Sequence, residues 1–372
     1  MKFEIERNIF LKGLNLIQGI IEKKKTLPIL SNVLIEAIND KITLTATDLE
    51  IGITSEYNSQ VINNGKITVS AKKLFEIVKE LPNNNIILES KENDWIELKC
   101  GNAKFNIVAL SSDEYPFINN TTPTNKFKIT AKLLKIMIEK TFNSISNDES
   151  KYNLNGSYLH KVDINNQKYI RIVSTDGHRL SLFQNEFNFE NNQMLNDGVI
   201  IPRKGIIELK KITDNYDDDL DIYFIDNSMI VKNPETTLIM RLIDGNFPDY
   251  NRVIPKNLNN FAKINTDTFL HTLKRISILA NEKSRGVNII LNKNKLEITS
   301  SNPEFGDATD FIDINYNGPE ISVGFNSKYL LDVLNNISTK SIKFYISDNI
   351  SPCLIMSDES NDYQTVIMPM KL

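Results

Sequence analysis

Hydrophobic and polar positions alternate and then shift to helical spacing at six places along the chain, in three pairs. The first members open KFEIERNIFLKGLNLIQGII from Lys2, KFKITAKLLKIMIEKTFNSI from Lys126 and FAKINTDTFLHTLKRISILA from Phe261. Period-two alternation predicts a short half-buried strand, and the apolar positions three and four apart that follow predict an amphipathic helix. The second members, ITVSAKKLFEIVKEL from Ile67, VIIPRKGIIELKKI from Val199 and ISVGFNSKYLLDVLNNI from Ile321, repeat the step. Corresponding points lie about 120–135 residues apart, the size of a domain and not of a solenoid repeat. Matching alternating runs at Ile42–Thr47, Ile170–Thr175 and Leu296–Ser301 each lead into a turn, at Asp48-Leu49-Glu50, Asp176-Gly177-His178 and Asn302-Pro303-Glu304. Further strands are predicted at Trp95–Cys100, Lys104–Leu110, Thr237–Leu242, Leu354–Ser357 and Thr365–Met368. Together these predict an α+β chain of three similar domains, each with two helices packed on antiparallel sheet. Polar joins at Thr121–Asn125 and Pro255–Asn260 put the domains at residues 1–123, 124–255 and 256–372.

Composition changes this picture little. The 372 residues, 41% hydrophobic, are ordinary for a soluble chain with several cores. No run approaches the roughly 18 apolar residues of a membrane span, and MKFEIERN reads as a strand and not as an export signal, so a cytoplasmic protein is expected. Cys100 and Cys353 occupy equivalent late positions in the first and third copies and read as reduced, buried thiols. Asparagine, isoleucine and lysine are overused, as in an AT-rich genome, and this lowers what any single Lys or Asn signifies. Runs such as Asn83-Asn84-Asn85 and Asn119-Asn120 read as solvated loops.

Charge matters through its distribution. A net charge of −4 argues on its own against a nucleic-acid binder. The helical segments nevertheless collect cations: Lys23 to Lys25, Lys72, Lys73 and Lys79 in the first copy, then Lys132, Lys135, Lys140, Arg203, Lys204, Lys210 and Lys211 in the second. Lys274, Arg275, Lys283, Arg285, Lys328, Lys340 and Lys343 follow in the third, while acids gather at Asp217-Asp218-Asp219 and from Glu304 to Asp310. Lysines on one amphipathic helix are the ordinary solvent face; the same bias on six helices points to one positive surface.

Catalytic chemistry is not evident. There is no phosphate-cradling GxxxxGK[ST] loop, no GxSxG elbow and no HExxH helix. His160, His178 and His271 stand apart without metal-ligand spacing, and Asp217–Asp221 lacks the alternating ligands of a calcium loop and reads as a solvated hairpin end. A metal-dependent nucleic-acid enzyme would need an acidic cluster on adjacent strand ends, and a cell-surface or structural repeat protein an export signal. No enzyme and no cofactor or metal is therefore expected. Three segments are more distinctive: Ser174–Leu180 (STDGHRL), Asp244–Tyr250 (DGNFPDY) with its aromatic-Pro-aromatic corner, and a terminus, VIMPMKL, that stays apolar to Leu372. Exposed termini are usually polar, so this tail reads as docked or as receiving a partner.

From Met1 to Leu372 the chain resembles the bacterial DNA polymerase III beta subunit family, the replicative sliding clamps. The resemblance is carried by Thr26–Asn32 (TLPILSN), Thr45–Glu50 (TATDLE), STDGHRL, Val199–Gly205 (VIIPRKG), DGNFPDY, Leu279–Val287 (LANEKSRGV), Gly324–Leu334 (GFNSKYLLDVL) and VIMPMKL, in this order. It implies a non-catalytic processivity factor: two chains joined head to tail in a six-domain ring that encircles duplex DNA and slides without sequence specificity. Its implied partners are a second copy of itself, duplex DNA, the polymerase III catalytic subunit, the clamp-loader ATPase, and other polymerases and repair proteins carrying clamp-binding peptides.

The resemblance also assigns positions. It implies a peptide-binding pocket between the second and third domains. From the second domain come Leu154, Thr175, Gly177, His178, Arg179, Leu180, Pro248, Arg252 and Val253; from the third come Asn326, Tyr329, Ile350, Val366, Met368, Pro369 and Met370. His178, Arg179 and Arg252 are expected at its rim, holding polar or C-terminal groups. Lys24, Lys72, Tyr152, Arg203 and Lys204 match DNA-channel positions. At the ring contact, Phe105 and Ile107 are expected to face Ile278 and Leu279 of another copy, with Lys73 and Lys104 pairing with Glu304, Asp307 and Asp310. Asn102 stands where a basic residue is expected, Phe305-Gly306 interrupts the acidic run, Asn153 replaces an aromatic, and Ser284 occupies a pocket edge where a Phe can occur.

Overall fold

A computed structural model describes residues 1–21, 27–116, 126–188, 195, 197–256 and 260–371. The strand-then-helix step appears at all six expected places. Strand Lys2–Glu6 leads into α1 (Arg7–Ile17), Gly65–Ser70 into α2 (Ala71–Glu80), and Lys126–Thr130 into α3 (Ala131–Thr141). Val199–Pro202 leads into α4 (Arg203–Asp214), Phe261–Asn265 into α5 (Thr266–Ile276), and Ile321–Asn326 into α6 (Ser327–Asn336). Alternation buries Phe3 and Ile5 on one side of the first strand, and helical spacing then buries Phe10, Leu14 and Ile17 along one stripe of α1. The junctions are chemically marked. Ser70 Oγ accepts from Lys73 N, Asn265 Oδ1 from Thr268 N and Asn326 Oδ1 from Lys328 N, each satisfying an amide the new helix leaves unpaired. At its other end α2 stops because Leu81 precedes Pro82 and takes extended backbone.

The fold is α+β, with six α-helices and antiparallel sheets of 13, eight and four strands among the described residues. Two sheets run across the copies. Thr236–Arg241 of the second copy pairs with Ile51–Asn58 of the first, with Leu238 opposite Ile53. Arg179–Glu186 of the second pairs with Tyr363–Ile367 of the third, with Ser181 opposite Thr365. The chain accordingly divides into two compact units, residues 1–133 with 207–242, and residues 134–206 with 243–372. The first contains the 13-stranded sheet with α1 and α2, the second the other two sheets with α5 and α6. The divisions at Leu133 and Ile206 fall inside α3 and α4, so the second copy is shared between the units.

The three matching turns share a device. Asp48 Oδ1 accepts from Glu50 N and Ile51 N, Asp176 Oδ1 from His178 N and Arg179 N, and Asn302 Oδ1 from Glu304 N. In the first two, the preceding Thr47 and Thr175 add the same pair of hydroxyl bonds, and the residue after the Asp takes positive φ, 76° at Leu49 and 91° at Gly177. Cys100 and Cys353 are both free and buried, and burial pushes the Cys353 thiol up to about 12. Asp219 begins a strand, Asp221 takes an ion pair from Lys126 at 2.7 Å, and no metal-ligand cluster occurs among the described residues. None of their helices is long and apolar enough to cross a membrane.

Candidate functional site

The pocket positions lie in the second unit, around a buried cluster of Val173, Leu180, Leu182, Tyr250, Leu354, Met356 and Val366. Tyr158, Phe247, Ile254 and Tyr345 pack against it. Six pieces of chain carry the expected residues. The Thr175–Arg179 turn delivers Thr175, Gly177 and His178, and the strand after it buries Leu180. The segment beyond Ile243 presents Pro248, Arg252 and Val253 at the surface. Asn326 and Tyr329 sit at the start of α6, with the Asn326 amide oxygen committed to the helix cap. Strand Tyr363–Ile367 buries Val366 and continues as the tail, where Met368 N donates to His178 O and Met370 N to Gly324 O, both at 2.9 Å. Met368 is thereby held in place yet 37% exposed, with Pro369 and Met370 half-buried. Leu154 is half-buried on the short turn Tyr152–Leu154, and Ile350 is 81% exposed; neither belongs to the buried cluster.

The rim expected from the sequence is corrected at Arg179. Its guanidinium is 8% exposed and fully engaged: Nε with Asp176 at 3.2 Å, Nη1 with Asp332 at 2.6 Å and Nη2 with the Asn143 carbonyl. It also lies over the Tyr329 ring, 4.3 Å from the centroid. Strands place the side chain after the turn inward, so it holds pocket elements together instead of offering a donor. Burial raises the Tyr329 phenol above its ordinary value, with Asp176 adding to the effect. His178 and Arg252 remain exposed; Arg252 pairs with Asp249 at 2.9 Å and holds that carboxyl below the usual range. Tyr250, Phe247, Tyr158 and His160 were not among the expected site residues. Phe247 and Tyr250 were visible in the aromatic-Pro-aromatic corner, whereas Tyr158 and His160 had only strand alternation to mark them.

Of the channel positions, Lys24 lies outside the described residues, as do Lys23 and Lys25. Lys72 is exposed 3.9 Å from Glu76, and Tyr152 is 57% exposed. Arg203 opens α4 with its guanidinium 4.6 Å over the Phe142 ring and Nη1 3.5 Å from the Ile145 carbonyl, and burial lowers its pKa. It is half-withdrawn from solvent, as is Lys204 beside it.

At the contact positions, strand Ala103–Leu110 pairs with Trp95–Cys100 along one side and meets Gly65–Ser70 only through Ala109 and Leu110. Among the described residues its other edge is unpaired along the stretch that carries Phe105 and Ile107. Strand Gly306–Asp313 is an edge of the four-stranded sheet, and Ile278, beside Leu279 on the turn Ser277–Leu279, is 79% exposed. Three of the five charges expected to pair across the contact already have partners within the chain. Lys73 bonds Glu76 at 2.8 Å, Lys104 bonds Glu97 at 2.5 Å and Asp310 bonds Arg275 at 2.6 Å. Lys104 and Lys99 hold Glu97 down to about 2. Glu304 and Asp307 make no ion pair among the described residues, and Phe305 between them is 66% exposed.

Comparison with known proteins covers the whole chain. Models of the DNA polymerase III beta subunit match its N-terminal domain to residues 1–119, its central domain to 128–249 and its C-terminal domain to 251–371. The beta sliding clamps of Haemophilus influenzae and Escherichia coli are 34% and 32% identical over 373 residues, covering 100% of this chain and of each of theirs. Solved sliding clamps from Bartonella birtlesii, bound to griselimycin, and from Caulobacter crescentus match with TM-scores of 0.95 and 0.94, each at 32% identity and full coverage of both chains.

Proposed function

Because the chain belongs to the DNA polymerase III beta subunit family, we propose that it works as a replicative sliding clamp, a non-catalytic processivity factor. Two copies close head to tail around duplex DNA, each contributing domains at residues 1–123, 124–255 and 256–372. The open edge of Ala103–Leu110 and the exposed Ile278 support a contact made between copies. With Lys73, Lys104 and Asp310 paired inside the chain, that contact rests more on apolar burial than on ion pairs, which at a surface are individually worth little. DNA is held by enclosure and by screened contacts from Lys72, Tyr152, Arg203 and Lys204, so retention weakens with salt without sequence preference.

Partners bind as short peptides at the pocket around Leu180, Val366 and Met368. The carrying observation is the pinned apolar tail: two backbone bonds fix Met368 and Met370, so an exposed thioether stands two residues beyond buried Val366 in extended chain. A pinned apolar surface with an exposed methionine accepts varied Leu and Phe anchors at little ordering cost. The replicative polymerase, the clamp loader and repair enzymes then compete for one site. Primer extension on a circular template, with cognate polymerase and loader, tests this. Added protein lengthens the products, and deleting Met370–Leu372 abolishes the lengthening, loader-dependent loading included, while size-exclusion chromatography still shows the intact dimer. Undiminished lengthening by the deletion variant overturns the pocket.

A further inference from the structure

A row of polar side chains crosses three adjacent strands of the second unit behind the pocket. His160 lies directly opposite Arg171, which lies opposite Gln184. Arg171 donates Nη1 to the Tyr250 hydroxyl at 3.0 Å and Nε to Gln184 Oε1 at 3.0 Å. The same Tyr250 hydroxyl is 3.0 Å from His160 Nε2. Arginine can only donate, so the phenol oxygen accepts from Arg171 and its proton points to His160. That requires a bare Nε2. Burial with the facing Arg171 charge lowers the imidazole to about 4, so the ring is neutral at neutral pH and can present an unprotonated Nε2. The imidazole is therefore a neutral acceptor at the end of a one-way chain from Arg171 through Tyr250.

Rings extend the same assembly. Tyr158 stacks on His160 with centroids 4.5 Å apart, and Phe247 stacks on Tyr158 at 5.0 Å and 6°. His160 meets Tyr250 edge-on at 5.8 Å. Phe247 and Tyr250 thus clamp the Phe247–Tyr250 segment to strand Gly156–Ile164 at two points, with Pro248 exposed between them and Arg252 and Val253 just beyond.

We propose that His160 is a positioning residue for peptide recognition: as acceptor for Tyr250 it fixes the pocket wall that carries Pro248, Arg252 and Val253. This rests on the pocket reading above. A peptide touches neither His160 nor the Tyr250 hydroxyl, whose bonds are already made; it touches the wall they hold.

The test measures binding of a fluorescein-labelled peptide carrying Leu and Phe anchors to the full chain, with the thermal unfolding midpoint recorded for every variant. His160→Phe keeps a stacking ring and strands the Tyr250 proton, and should weaken binding roughly tenfold. His160→Gln restores an acceptor without the ring and should recover most of the affinity, which a purely structural role of the stack would not allow. Tyr250→Phe should cost less in the His160→Phe background than in the unaltered chain, where it breaks the bond to His160 as well as the one from Arg171. Equal affinity of His160→Phe and the unaltered chain, or additive losses in the double variant, overturns the proposal alone. Should His160→Phe fail to fold, unrecovered affinity in folded His160→Gln overturns it. No binding by the unaltered chain overturns the pocket reading and this proposal with it.

Discussion

Arg179 shows how one buried side chain can be misread when its partners are distant in sequence. Asp176 is local, but Asn143 and Asp332 come from the turn Phe142–Ser144 after α3 and from α6. Nothing near Arg179 in the chain distinguishes it from Arg252, which is exposed. Removing it strands two carboxylates, so Arg179→Ala should lower stability by about 3 kcal/mol in urea unfolding, with Arg179→Lys recovering less than half. A loss under 1 kcal/mol would contradict the staple. His160 supplies a second residue-scale expectation. Its folded pKa, about 4, lies below the ordinary 6.5, so the unfolded chain binds the proton more readily. Its contribution is whole above pH 6.5 and is lost as pH falls toward 4, by up to about 3 kcal/mol. Unfolding curves of His160→Phe should lack this part of the decline; parallel pH profiles would refute it.

Among elements, the strand-to-helix steps were legible because two periods, 2 and 3.6, meet at a capping residue. Asn326 illustrates the junction, since its side chain closes α6. Asn326→Ala should therefore cost about 1 kcal/mol of stability and Asn326→Asp almost none. If the residue also touches bound peptide, the Asp variant separates the roles, keeping stability while changing affinity. Strand Gln60–Asn63 was not legible: it is mostly exposed, and without a buried face there is no alternation to read. The tail was conspicuous for its apolar residues, but its pinning to His178 and Gly324 arises from backbone groups, which side-chain patterns do not report.

For the whole molecule, the threefold repeat was legible from spacing alone, while the sheets that run between copies were not. Strands choose partners by free edges and twist, and the sequence of Thr236–Arg241 carries no mark that Ile51–Asn58 lies beside it. The DNA and contact positions came from family resemblance; the structure adds that several of their charges are already paired. We propose that enclosure, more than affinity, is the source of DNA retention, and this is the central claim. The direct measurement compares retention on circular and linearised plasmid after loading by the cognate ATPase loader. Enclosure predicts protein that stays on circles and runs off cut ends. Equal retention on both would show ordinary affinity and contradict the account.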